Sequence, residues 1–132
     1  MGTKTTNYCK SLRLKMEEAN KLVTAYDETI TGYVAWLDNL QLNDLLNLAA
    51  IEKTRAEKEY AAKQYRGLLL PKIKTIRGVL YEENKKFKEY ITKKKVLVAL
   101  SGGFKTKASV GIAETCITDV NNCVAAMDQL LQ

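Results

Sequence analysis

From Cys9 to Leu40 the apolar positions Cys9, Leu12, Met16, Ala19, Val23, Tyr26, Ile30, Tyr33, Leu37 and Leu40 alternate at spacings of three and four residues. A helix turns by about 100° per residue, so this alternation keeps returning to one side, whereas an extended strand would scatter the same residues over both faces. The stripe is narrow, which is the pattern of a helix packed lengthwise on another helix. Sustained over about 32 residues, it predicts a rod about 50 Å long. Gly32 is the weak point within it, and Asn39 or Asn43 is where it can stop. Asn43-Asp44 ahead of Leu45-Leu46 then reads as the start of the next helix.

The rest of the chain keeps the helical period with interruptions. A second helix is expected over 44–70 from Leu45, Leu48, Ala49, Ala56, Tyr60, Tyr65, Leu68 and Leu69, with a solvated centre where the charged block 52–59 falls. Pro71, four residues after Gly67, has no backbone N–H to donate, and it predicts a break or sharp kink. Over 71–94, Ile73, Ile76, Leu80, Phe87 and Ile91 mark one face again. At Val96-Leu97-Val98-Ala99-Leu100 the period is lost, and Ser101-Gly102-Gly103 follows. A short β-hairpin over 96–110 is an alternative there, although two strands without a sheet are marginal. Val110, Ala113, Ile117, Val120, Val124, Met127 and Leu131 restore the helical spacing to the end, with Cys116, Cys123 and Leu130 flanking them.

One proline and seven glycines in 132 residues leave too little turn punctuation for an all-β chain. The expectation is a single domain over 1–132: an all-α, antiparallel helical bundle of three to four long helices, with a break or kink near Pro71. No run approaches the ~20 apolar residues that cross a bilayer. Met1-Gly2-Thr3-Lys4-Thr5-Thr6 lacks the apolar stretch of a secretory signal, so a cytoplasmic protein, or one within a phage or virus particle, is expected. Gly2 with Thr6 meets the loose N-myristoylation pattern, which is too short to outweigh chance.

The formal charge of +6 is unevenly distributed. Residues 1–50 carry five basic and six acidic side chains, residues 51–107 sixteen and six, and residues 108–132 none and three. Lys74, Arg77, Tyr81, Lys85, Lys88 and Lys95 fall within an arc of about 80° on a helix, beside its apolar face. Such a stripe can follow a phosphate backbone, and Lys93-Lys94-Lys95 with Lys105 and Lys107 would extend it. It equally suits an ordinary solvated face diluted by Glu82, Glu83 and Glu89. A third use is internal, with the acidic last helix lying along the basic segment of its own chain or of a neighbour. Lysine dominates and no groove-reading motif accompanies it, so any nucleic-acid binding would be sequence-independent and salt-sensitive.

Exclusions narrow the chemistry. The chain has no histidine, which removes the usual general base near neutral pH, the Ser-His-Asp and Cys-His arrangements, and the Glu-x-x-His ligands of di-iron bundles. Cys9, Cys116 and Cys123 lack metal-ligand spacing and form no disulfide framework; they read as small core residues of a reducing compartment. Ser101-Gly102-Gly103-Phe104-Lys105-Thr106 lacks the spacing of a phosphate loop and reads as a turn. The carboxylate pairs Glu17-Glu18, Asp27-Glu28 and Glu82-Glu83 are sequence neighbours that point apart on a helix. No catalytic residue, metal or cofactor is expected, and the chain reads as a non-enzyme.

What remains is binding. The reading is a non-catalytic structural or adaptor subunit that assembles through amphipathic helix faces, with a protein partner or with itself, as in a phage or bacterial multiprotein complex. A sequence-independent nucleic-acid-binding accessory protein using the basic stripe is the alternative. Tyr26 and Tyr33 lie on the first seam and Trp36 just off it, and these three are the candidate protein interface.

Overall fold

The computed structural model describes the backbone at residues 2–41, 44, 46–101 and 104–132, and the side chains of these except at 2, 3, 98, 101 and 104–109. Three long helices account for nearly all of it: α1 (Gly2–Asp38), α2 (Leu48–Ser101) and α3 (Phe104–Leu131). No strand occurs among the described residues. Asn39 and Gly102-Gly103 were expected to punctuate the chain. Asn39 does, its N–H reaching the Ala35 carbonyl at 3.1 Å while the Leu40 N–H tightens back onto the Leu37 carbonyl at 3.2 Å. Asn43, Leu45 and Gly102-Gly103 lie outside the described residues.

The next long helix begins later than the sequence suggested. Asn47 is its cap, with Oδ1 accepting from the Ala50 N–H at 3.3 Å and satisfying a donor that has no intrahelical partner. Asp44 instead closes the preceding turn, its Oδ2 accepting from the Gln41 N–H at 2.8 Å.

Two expectations are corrected. The chain does not break at Pro71, which sits inside the 54 residues of α2. A proline there costs roughly 3 kcal/mol, because the carbonyl four residues back loses its donor and crowds the ring. That carbonyl belongs to Gly67, which has the widest backbone latitude of any residue. The helix is held on both sides of the proline by burial of Leu69, Ile73 and Ile76, which offsets a cost of that size. Nor is there a β-hairpin at 96–110: residues 96–101 finish α2, and residues 104–110 begin α3. β-Branched residues cost a helix only a few tenths of a kcal/mol each, whereas a two-stranded hairpin with no sheet to join is barely stable.

The chain divides into two compact units, Met1–Asn20 with Ile73–Gln132, and Lys21–Lys72. The first is a three-helix bundle. Its α2 segment runs antiparallel to α1, with Tyr8 stacked on Phe87 at 4.9 Å and Lys94 bonded to Thr5. It also runs antiparallel to α3, with Arg77 on Asp128 and Asn84 on Asn121. Leu12, Ala19, Ile73, Leu80, Phe87, Ala113, Val120 and Met127 are almost wholly withdrawn from solvent. Each large side chain among them contributes about 1.5–3 kcal/mol by leaving water. The second unit is an antiparallel helical hairpin made from the end of α1 and the start of α2. Leu69 is its single buried side chain among the described residues.

Candidate interaction surfaces

The basic stripe lies on α2 within the three-helix unit, where much of it is engaged by α3. Arg77 donates from Nε to Asp128 Oδ1 at 2.7 Å and from Nη2 to Asp128 Oδ2 at 3.2 Å, a bidentate pair. The hydrogen bond to Asp128 raises the Arg77 pKa further above its ordinary value. The same guanidinium lies 4.9 Å from the centroid of the Tyr81 ring. Lys88 Nζ donates to Asn121 Oδ1 at 3.3 Å, and Lys95 forms an ion pair with Glu114. The three α3 partners, Glu114, Asn121 and Asp128, recur at sevens, so the seam between the helices is flanked by a ladder that matches their antiparallel register. Lys74 and Lys85 are exposed. The structure therefore places Arg77, Lys88 and Lys95 along α3 and leaves Lys74 and Lys85 facing solvent. The side chains of Lys105 and Lys107, expected to extend the stripe, lie outside the described residues.

The aromatic candidates gather in the hairpin unit. Tyr33 Oη donates to Glu59 Oε1 at 3.0 Å, and its ring stacks on Trp36 with centroids 6.2 Å apart. Lys58 Nζ sits 5.4 Å from the Trp36 centroid. Arg66 lies over the Tyr26 ring at 4.4 Å and donates from Nε to Thr29 Oγ1 at 2.6 Å. Tyr26, Tyr33 and Trp36 are each half-buried, so these polar and cation–π contacts join the hairpin where a third helix would otherwise supply apolar cover. Arg55 binds Glu52 and Glu59, and the hydrogen bond to Glu52, followed by those to Tyr33 and the two carboxylate charges, holds its pKa above the ordinary value.

Between the two helices of the hairpin runs an open groove of about 530 Å³. Tyr26, Thr29, Ile30 and Tyr33 form its α1 wall, and Glu59, Ala62, Lys63, Arg66, Gly67 and Leu70 form its α2 wall. Beyond the groove the hairpin exposes Val34, Leu37, Tyr60, Tyr65 and Leu68.

Asn84 and Thr5, polar residues within the three-helix core, were not singled out by sequence reasoning, and Lys94, expected to extend the basic stripe, is instead buried in that core because its ammonium reaches Thr5. Asn84 is 3% exposed; its Nδ2 donates to Asn121 Oδ1 at 3.0 Å and to the Ile117 carbonyl at 3.4 Å, while its own Oδ1 has no partner. Lys94 is 5% exposed and donates to the buried Thr5 Oγ1 at 2.9 Å. The signal was there: Asn84 and Lys94 continue the spacing of Leu80, Phe87 and Ile91, and Thr5 continues that of Cys9 and Leu12. A stripe read from apolar residues alone passes over them.

Cys9 and Cys116 are core residues as expected, whereas Cys123 is half-buried at the edge of the core. Burial, assisted by a hydrogen bond with Cys9, pushes the Cys116 thiol up to about 12, and burial raises Cys123 as well. Both shifts work against the thiolate needed for nucleophilic chemistry. Among the described residues no three His, Cys, Asp or Glu side chains cluster as metal ligands would, and no helix is long and apolar enough to cross a membrane.

No family model matches the sequence, and neither the curated proteins nor the solved structures offer a match to it.

Proposed function

We propose that this chain is a non-catalytic assembly subunit: the three-helix unit is its folded support, and the helical hairpin presents the face on which a protein partner docks. One observation carries the reading. The hairpin has Leu69 as its single buried side chain among the described residues, while Ile30, Val34, Leu37, Tyr60 and Leu68 remain 38–67% exposed. Two helices cannot enclose a core of their own, and an exposed apolar face of this kind marks a surface that another element covers. Interfaces are also enriched in aromatic residues and arginine, and Tyr26, Tyr33, Trp36 and Arg66 share this unit.

Nucleic-acid binding is the weaker reading. Three of the six stripe positions are drawn into contacts with α3, and its carboxylates Asp128 and Glu114 offset the charge of Arg77 and Lys95 locally. If the stripe nonetheless binds a phosphate backbone, affinity should fall by orders of magnitude between about 50 and 200 mM salt. Charge reversal at Lys74, Arg77, Lys85 and Lys88 should then abolish it.

The test is the mass of the complex recovered with the tagged chain from its native host. Recovery of a stable complex that Ile30→Asp with Val34→Asp disperses, at unchanged helical content by circular dichroism, is the expected result. A chain recovered alone, with or without those substitutions, would contradict the reading.

A further inference from the structure

We infer that the three-helix unit has a binding surface of its own, the end where α1 starts, α2 finishes and α3 begins, and that this end seats on an anionic lipid surface. It belongs to the unit that does not carry the hairpin groove, so it goes beyond the assembly reading and stands or falls apart from it.

Charge segregation within the unit points there. Residues 1–16 and 90–113 carry nine basic side chains and no Asp or Glu, whereas the remainder of the unit carries five basic and eight acidic ones. The two basic stretches are far apart in sequence. Antiparallel packing brings them together, with Lys94 bonded to Thr5 at 2.9 Å and Tyr8 stacked on Tyr90 at 5.8 Å. Part of this charge is already engaged: Lys94 is turned inward to Thr5, Lys95 is paired with Glu114 at the border of the acid-free region, and Lys15 donates to Ser11. Lys10 and Lys93 are exposed, as is Lys4, which rests over the Tyr90 ring, and Lys105 and Lys107 add two positive charges to the first turns of α3.

What lies beside these lysines selects the polyanion. Val96, Leu97 and Leu100 are 56%, 65% and 81% exposed. On α2 they share an arc of about 100° with Lys93, turned away from the buried Phe87, Ile91 and Lys94. Glu89, one turn before Lys93, marks where this face becomes mixed. A phosphate backbone offers three aliphatic side chains nothing to enter, and stacking on bases requires aromatic rings. Protein interfaces enrich arginine and deplete lysine, whereas all five cations of 90–113 are lysine. An anionic bilayer matches both features. Aliphatic side chains enter the boundary between headgroups and acyl chains, and lysine stems follow them while the ammonium groups stay with the headgroup anions. Three aliphatic side chains and a few lysines make this a reversible, salt-sensitive contact.

Flotation of the full chain with vesicles of phosphatidylcholine, alone or with about one third phosphatidylserine, tests this. The chain should float with the anionic vesicles and not with the neutral ones, and its affinity should fall by roughly tenfold or more between about 50 and about 500 mM salt. Lys4→Glu with Lys93→Glu should weaken binding to the anionic vesicles by roughly tenfold or more, and so should Leu97→Ser with Leu100→Ser, each at unchanged helical content. Should either pair lose helix, Trp36→Phe with Leu100→Trp decides: its emission should shift to the blue on anionic vesicles, and an unmoved emission overturns the inference. A chain that fails to float with anionic vesicles overturns it as well, and so does one that floats equally with both kinds. If the serine variant binds anionic vesicles as the wild type does and duplex DNA displaces the chain from them, charge alone is acting. The end is then a nucleic-acid surface, and the lipid assignment falls.

Discussion

The three-helix unit and the hairpin unit are made from stretches of the same two long helices, and yet one encloses a core and the other does not. In the first, α3 covers the seams of α1 and α2, and fourteen apolar positions among the described residues are buried there, Leu80, Phe87 and Met127 completely. In the second, nothing among the described residues of the unit plays the part of α3, and the same three-and-four spacing on α1 leaves Ile30 half exposed. An identical sequence pattern thus yields a core or a docking face according to how many helices meet on it. Burial energy follows the third helix, not the periodicity.

The largest expected difference lies in truncation of these two faces. Leu80→Ala or Phe87→Ala should cost about 3–5 kcal/mol in urea unfolding, since each removes a fully buried side chain and leaves a cavity. Ile30→Ala in the isolated chain should stay within about 0.5 kcal/mol, as for an exposed position. Equal losses at the two sites would break the comparison. Next comes the proline at the end of the hairpin unit. With α2 continuous through it, Pro71→Ala should restore a donor to the Gly67 carbonyl and raise stability by about 1–3 kcal/mol. A destabilised variant would mean that the helix needs the proline there.

Smaller effects sharpen the account of the three-helix core. Asn84→Leu should leave stability within about 1 kcal/mol of wild type. It removes two hydrogen bonds, but also a buried Oδ1 that has no partner, and Asn121 keeps Lys88. Its expected cost is instead in specificity, as a buried Asn in a coiled-coil seam fixes register, and poorer dispersion of side-chain NMR signals would report it. The Cys116 thiol, raised from 9.0 to about 12 in the fold, adds a pH dependence. A raised pKa favours the protonated fold, so this contribution is fully present below pH 9 and is lost as pH climbs toward about 12. Cys116→Ala should flatten that alkaline decline in melting temperature. The smallest change is expected at the bidentate pair, where Arg77→Ala should cost less than about 1 kcal/mol because both partners are partly in water.

Much of the three-helix unit was legible in the sequence. The buried residues Cys9, Leu12 and Ala19 on α1, Ile73, Ile76, Leu80, Phe87 and Ile91 on α2 and Val110, Ala113, Val120, Val124 and Met127 on α3 are those the spacing marked, whereas on α3 the flanking Cys116 is buried in place of Ile117. Two local signals misled. Pro71 carries a helix-breaking propensity that packing on either side overrides, and the apolar run after Lys95 carries a β-propensity with no sheet to satisfy it. The interaction surfaces were less legible. Tyr26 and Tyr33 were seen as seam residues, but whether a seam is covered depends on which helix lies against it, and that is a long-range property. The stripe from Lys74 to Lys95 was visible as an arc on one helix. Its pairing with Asp128, Asn121 and Glu114 depended on an antiparallel register that charge counts alone could suggest but not fix.

Amide hydrogen exchange of the full chain, alone and in the complex recovered from its native host, tests most directly whether the hairpin is completed from outside itself. Protection within Lys21–Lys72 should be low in the chain alone and should rise in the complex, while that of the three-helix core stays high and unchanged. Equal protection of both units in the chain alone would contradict it, because the hairpin would then be stable with no partner at all.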